Sequence, residues 1–135
     1  MPLEILIADD SIAVRKAVRS YLIERNFDVC GEAIDGEDAI EKTREFKPAL
    51  ILLDLAMPRA NGVIVASVLR DVAPNIRIVL FTMYADEFGE KLASAIGVQV
   101  VLSKPEGLSK LGEHLKALLN PDEPSTRSGF ASEAI

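Results

Sequence analysis

Cysteine occurs once in this 135-residue chain, at position 30, so no intrachain disulfide can form and no cysteine-based zinc site can be built. Positive charge is also scarce. Fifteen Lys and Arg face 21 Asp and Glu, a formal net charge of −6, which argues against a surface that neutralises nucleic-acid phosphates. A metal site made of carboxylates is easier to reconcile with that balance. Long apolar runs are missing, and Met1-Pro2-Leu3-Glu4 leads into a short strand pattern without a basic stretch. The expectation is a cytoplasmic chain with neither signal peptide nor transmembrane helix. No internal repeat or low-complexity tract is visible. What remains, 49% hydrophobic and 27% charged residues, sustains one core and is too short for two ordinary domains. Cys30, within Val29-Cys30-Gly31, reads as a small buried residue rather than a reactive thiol.

Four short apolar runs each end on a residue able to handle a phosphate. Ile5-Leu6-Ile7-Ala8 runs into Asp9-Asp10, and Ala49-Leu50-Ile51-Leu52-Leu53 into Asp54. Ile78-Val79-Leu80-Phe81 runs into Thr82, and Val98-Gln99-Val100-Val101-Leu102 into Ser103-Lys104-Pro105. Continuous aliphatic runs separated by helical patterns are what strands buried on both faces of a parallel sheet look like. The strand ends then converge on one edge, where ligands bind at the point of reversed strand order.

Helical patterns alternate with these runs. Ser11 can cap a helix over 12–25 with Val14, Ala17, Val18, Tyr21 and Leu22 on its apolar side. A second strand is predicted over 28–34. Asp35 and Asp38 form an approximate capping box for a helix to about Phe46, which Pro48 stops. Met57-Pro58 breaks the chain, and Gly62 opens a helix carrying Val65, Ala66, Val68 and Leu69. Residues 86–96 read as a helix with Gly97 as its left-handed stop, and 107–119 as the last helix. Residues 121–135, rich in Pro, Ser, Thr and Glu, are expected to be a disordered tail after an ordered domain over 1–120. Five β/α units with short connections imply an α/β fold: a doubly wound, five-stranded parallel sheet with helices on both faces.

The joint order of Asp9-Asp10, Asp54, Met57-Pro58, Gly62, Thr82 and Lys104-Pro105, each at a strand end, resembles the receiver domains of two-component response regulators, in particular single-domain, chemotaxis-receiver-like members. The resemblance covers roughly residues 3–119 and implies the flavodoxin-like (βα)5 strand order 2-1-3-4-5. It also implies a phosphoprotein in phosphorelay signal transduction. Asp54 would accept a phosphoryl group from a sensor histidine kinase or phosphotransfer protein, since a carboxylate can act as a nucleophile. The output would be a changed surface on the last helices and strand, offered to a downstream protein or to a second copy of the chain.

Asp9, Asp10 and Asp54 would place three negative charges in one cleft, where they repel one another unless a cation intervenes. Mg²⁺ suits carboxylates, water and phosphate oxygens in octahedral geometry. By resemblance, Asp10 and Asp54 bind the metal directly, Asp9 through water, and Ala56 through its backbone carbonyl. Lys104 would supply a point charge to the phosphoryl oxygens and Thr82 a hydroxyl. The plain alternatives are helix capping for Asp9-Asp10, an exposed lysine at 104 and a β-branched strand residue at 82. In two places the chain departs from the family pattern. Val101 stands three residues before the lysine, where receivers commonly carry Tyr or Phe, and Ala56 and Tyr84 flank the path of water to the phosphoryl group.

Two rival functions come from other classes. A phosphohydrolase with Asp54 as nucleophile would share the sheet, but its best-known pattern needs a second acid two residues on, where Ala56 stands. A phosphorylation-independent interaction module would keep the fold without needing the acidic pocket. Nothing after Leu119 resembles a helix-turn-helix or catalytic domain, so the chain itself is not expected to contact nucleic acid or membrane. His114 reads as a solvated residue of the last helix, with no acidic partner three or four residues after it.

Overall fold

The computed structural model describes residues 4–54, 57, 62–82, 100–103 and 108–119. Among them the chain alternates strand and helix: β1 (Glu4–Ala8), α1 (Ile12–Glu24), β2 (Asp28–Ala33), α2 (Gly36–Phe46), β3 (Leu50–Leu53), α3 (Gly62–Val72), β4 (Arg77–Thr82), β5 (Val100–Ser103) and α4 (Leu108–Leu119). All strand pairs are parallel and the order is β2-β1-β3-β4-β5, as expected. The helix expected over 86–96, its Gly97 stop and the tail over 121–135 lie outside the described residues.

Period-two alternation within each apolar run sends neighbouring side chains to opposite faces. Leu6, Ala8, Ile51, Leu53, Ile78 and Leu80 pack with Val65, Ala66 and Leu69 of α3 and Ala39 of α2. Ile5, Ile7, Leu50, Leu52, Val79 and Phe81 pack with Val18 and Leu22 of α1 and Leu111 and Leu115 of α4. The runs have no polar alternation because both faces are covered. At about 25 cal/mol per Å² of apolar area removed from water, these two layers supply the main drive to fold.

Helix ends follow local chemistry. The Ser11 hydroxyl oxygen accepts from the Val14 N–H at 3.2 Å, and the Asp35 carboxylate accepts from the Asp38 N–H at 2.8 Å. Asp38 in turn accepts from the Ile34 N–H at 3.1 Å, one residue further back than a capping box requires. α2 ends with Lys47 in the left-handed region (φ 50°), immediately before Pro48. β2 stops at Ala33 rather than 34, and α1 at Glu24, with Arg25 as its C-cap.

Two expected environments differ. Ala17 is exposed, because the buried stripe of α1 narrows to Val18 and Leu22. His114 is buried, not solvated. Its spacing from Leu111, Leu115 and Leu118 places it on the core-facing stripe of α4, which outweighs the lack of an acidic residue three or four positions after it. Cys30 is half-buried and its thiol lies 3.5 Å from the Ile5 carbonyl oxygen. It occupies a bulge. Ile5 pairs with Val29 and Leu6 with Gly31, leaving Cys30 as the extra residue of β2.

Candidate functional site

β1 and β3 are adjacent parallel strands, so Asp9 and Asp54, each the first residue past its strand, arrive side by side at the carboxyl edge of the sheet. Both backbones are still held by it. The Asp54 N–H donates to the Ala8 carbonyl at 2.9 Å, and the Asp9 N–H to the Ala33 carbonyl at 3.1 Å. Both side chains are buried, and Asp10 is exposed. Asp9, Asp10 and Asp54 each offer one carboxylate oxygen, and the three atoms lie within 4.8 Å of one another. The floor beneath Asp9 and Asp54 is apolar, formed by Ile7, Val14, Val18, Leu52 and Phe81.

The donor set fits a hard divalent cation. Octahedral Mg²⁺ with oxygens at about 2.1 Å places neighbouring ligands about 3 Å apart and opposite ones about 4 Å apart, within the observed spread. An all-oxygen carboxylate set also excludes soft-metal chemistry. The capping alternative coexists with this. One Asp9 carboxylate oxygen accepts from the Ser11 N–H at 2.9 Å, an Asx-type turn that leads into the Ser11 cap.

Arg15, which the sequence reading did not single out, joins this loop to the rest of the fold. Its guanidinium donates to the Asp9 carbonyl at 2.8 Å and to Glu32 of β2 at 3.0 Å, with only 12% of the side chain exposed. Arg19 binds the other Glu32 oxygen at 2.9 Å. Sequence offered one hint, a carboxylate at position 32 after the apolar stretch Val29-Cys30-Gly31, with two arginines one helical turn apart upstream.

Thr82 is the last residue of β4 and pairs with Ser103 of β5, so position 82 falls at the same sheet edge as Asp54. Ala56, Tyr84 and Lys104 lie outside the described residues. Val101 pairs with Leu80 within β5. No helix among the described residues is long and apolar enough to cross a membrane.

A five-stranded, doubly wound parallel sheet with three carboxylates gathered at its switch point defines the α/β class in which signalling receivers fall. The sequence profile of the response regulator receiver domain matches residues 5–116, and the chain belongs to that family. It is 36% identical over 121 residues to the response regulator protein VraR of Staphylococcus saprophyticus, covering 89% of this chain and 58% of VraR. It is 28% identical over 111 residues to the chemotaxis protein CheY of Thermotoga maritima, covering 82% of this chain and 92% of CheY. The solved response regulator TrrA of Thermotoga maritima, in complex with Mg(2+)-BeF, superposes with a TM-score of 0.78 at 28% identity, over 87% of this chain and 99% of TrrA. The chain thus spans little more than half the length of VraR but nearly all of CheY. As a receiver domain it is a phosphoacceptor module of two-component signalling. The phosphohydrolase and phosphorylation-independent readings are not favoured.

Proposed function

We propose that Asp54 is the phosphoacceptor of this receiver and that a sensor histidine kinase or phosphotransfer protein is its donor. The observation that supports this most directly is the convergence of the Asp9, Asp10 and Asp54 oxygens within 4.8 Å at the carboxyl edge. In the transfer, an Asp54 carboxylate oxygen attacks the phosphorus of a phosphohistidine. A P–O bond forms as the P–N bond breaks, and the imidazole nitrogen leaves with the electron pair. Following the family resemblance, Asp9, Asp10 and Asp54, with the Ala56 backbone carbonyl, would hold Mg²⁺. When bound, the ion neutralises charge between the donor's phosphoryl oxygens and the carboxylates. The N–H bond of Asp54 to the Ala8 carbonyl holds its backbone at the strand end, above the apolar side chains that line the space beneath it. Lys104 supplies the counter-charge and Thr82 the hydroxyl donor to the transferred group. Through them the signal reaches the last helix and strand, the surface proposed for a downstream target or a homodimer.

Acetyl phosphate with Mg²⁺ should produce one hydroxylamine-labile adduct by intact-mass measurement, absent from Asp54→Ala. An adduct retained in that variant would move the phosphoacceptor to another residue.

A further inference from the structure

At the amino edge of the sheet, opposite the acidic cluster, an open groove of about 680 Å³ lies between the C-terminal ends of α2 and α3. Its apolar part is formed by Pro48, Ala73 and Ile76, and Arg44, Lys47 and Arg77 surround it. Arg44 and Lys47 are exposed and Arg77 half-buried. None of these three cations makes an ion pair or side-chain hydrogen bond among the described residues, although Glu41, Glu45 and Asp71 stand on the same helices. Arg70 shows the ordinary use of a cation at a helix C-terminus, donating to the Pro74 carbonyl at 3.3 Å. Arg44, Lys47 and Arg77 make no such side-chain hydrogen bond among the described residues. They form a local positive rim on a chain whose net charge is −6.

We propose that this groove docks an acidic segment of a partner protein, with apolar side chains over Pro48, Ala73 and Ile76 and carboxylates at Arg44, Lys47 and Arg77. Charge complementarity selects this occupant. A nucleic acid would meet three cations on a strongly acidic molecule, too few against the overall repulsion. A small phosphate ligand would meet two helix C-termini, which present carbonyls and the negative end of the helix dipole instead of an N–H cradle. A polypeptide avoids both problems, because its carboxylates are spread along the chain and reach the exposed Arg44 and Lys47 and the half-buried Arg77 separately. The groove is remote from Asp54, so docking there leaves the phosphoacceptor edge free.

The test is a backbone-amide NMR titration of the full chain with a synthetic peptide of alternating glutamate and leucine. Saturable shifts should centre on Arg44, Lys47, Ile76 and Arg77 and weaken with added salt, since exposed charges are screened over about 10 Å at 0.1 M. The triple variant Arg44→Gln/Lys47→Gln/Arg77→Gln should lose roughly tenfold in affinity, the combined effect of three rim ion pairs, while keeping its melting temperature and Asp54 phosphorylation. Unchanged peptide affinity in that variant would overturn the proposal. Inorganic phosphate or ATP shifting the same amides when the peptide does not would overturn it in favour of a small-anion site. Peptide binding that appears only after Asp122→Asn/Glu123→Gln would overturn it in favour of the chain's own C-terminal segment as occupant.

Discussion

Arg15 illustrates how one side chain can set a site it does not enter. Its bond to the Asp9 carbonyl fixes the peptide that carries Asp9 into Asp10, and Glu32 fixes the guanidinium in turn. Groups that orient metal ligands from outside typically change metal affinity by 10- to 100-fold when lost. Arg15→Ala should therefore weaken Mg²⁺ binding by roughly tenfold. Arg19→Ala, which touches only the outer Glu32 oxygen, should leave it nearly unchanged. Mg²⁺ titration followed by amide NMR separates the two, and equal affinities in both variants would confine Arg15 to a structural role. Cys30 is the contrasting case of a polar atom made inert by its surroundings. Burial first, then the negative charge of Glu4, raises its thiol above the ordinary value. The folded thiol stays protonated where the unfolded one, near pH 8.5, begins to ionise. The stabilising contribution is thus complete below that pH and is lost as pH rises through the folded value. Iodoacetamide should react much more slowly with native than with urea-unfolded protein at pH 8.5; equal rates would contradict the shielding.

Between elements, one tight approach sits where α1 meets α4. A Cβ at Gly112 would lie 2.4 Å from the Tyr21 hydroxyl oxygen, and the Tyr21 ring is itself held beneath Arg25, whose guanidinium carbon is 3.7 Å from the ring centroid. Alanine is worth about 1 kcal/mol over glycine inside a helix, but here the ring must move to admit it. Gly112→Ala should gain less than that in the parent and close to the full amount in a Tyr21→Leu background, a coupling of about 1 kcal/mol measurable by urea denaturation. Additive effects would show that the ring yields freely. Elements of this kind were well marked in the sequence. The strand runs, the Ser11 and Asp35 caps and the Pro48 stop depend on neighbours within four residues, and the ends of the first four strands and first two helices agree with the structure to within a residue, while the run begun at Val98 starts outside the described residues. Asp9, Asp10 and Asp54 were legible for a related reason, since parallel strands bring their ends together wherever they lie in the chain. What escaped depends on distance or on packing. Arg15 and Glu32 are 17 positions apart, and the burial of His114 follows from what α4 packs against. The Cys30 bulge inserts a residue that no alternating pattern announces.

For the molecule as a whole, a cation held by Asp9, Asp10 and Asp54 would link metal binding to folding. A ligand that binds only the folded state adds RT ln(1 + [L]/Kd), about 1.4 kcal/mol at ten times its dissociation constant. Millimolar Mg²⁺ should raise the melting temperature of the parent, and by much less in Asp10→Ala, the exposed member of the cluster. Equal shifts in a differential scanning calorimeter would place the ion elsewhere. The other border of the sheet carries a different consequence. β2 ends the strand order, and an outermost strand is an open template on which another chain could add. The Ala33 carbonyl turns inward to the Asp9 N–H, whereas the neighbouring Glu32 carbonyl is taken by the Lys42 ammonium at 2.5 Å. With the bulge at Cys30 breaking the regular spacing of the remaining groups, the border is blunted against strand-by-strand polymerisation, a protection that matters for a signalling domain that must remain free to meet and leave its partners.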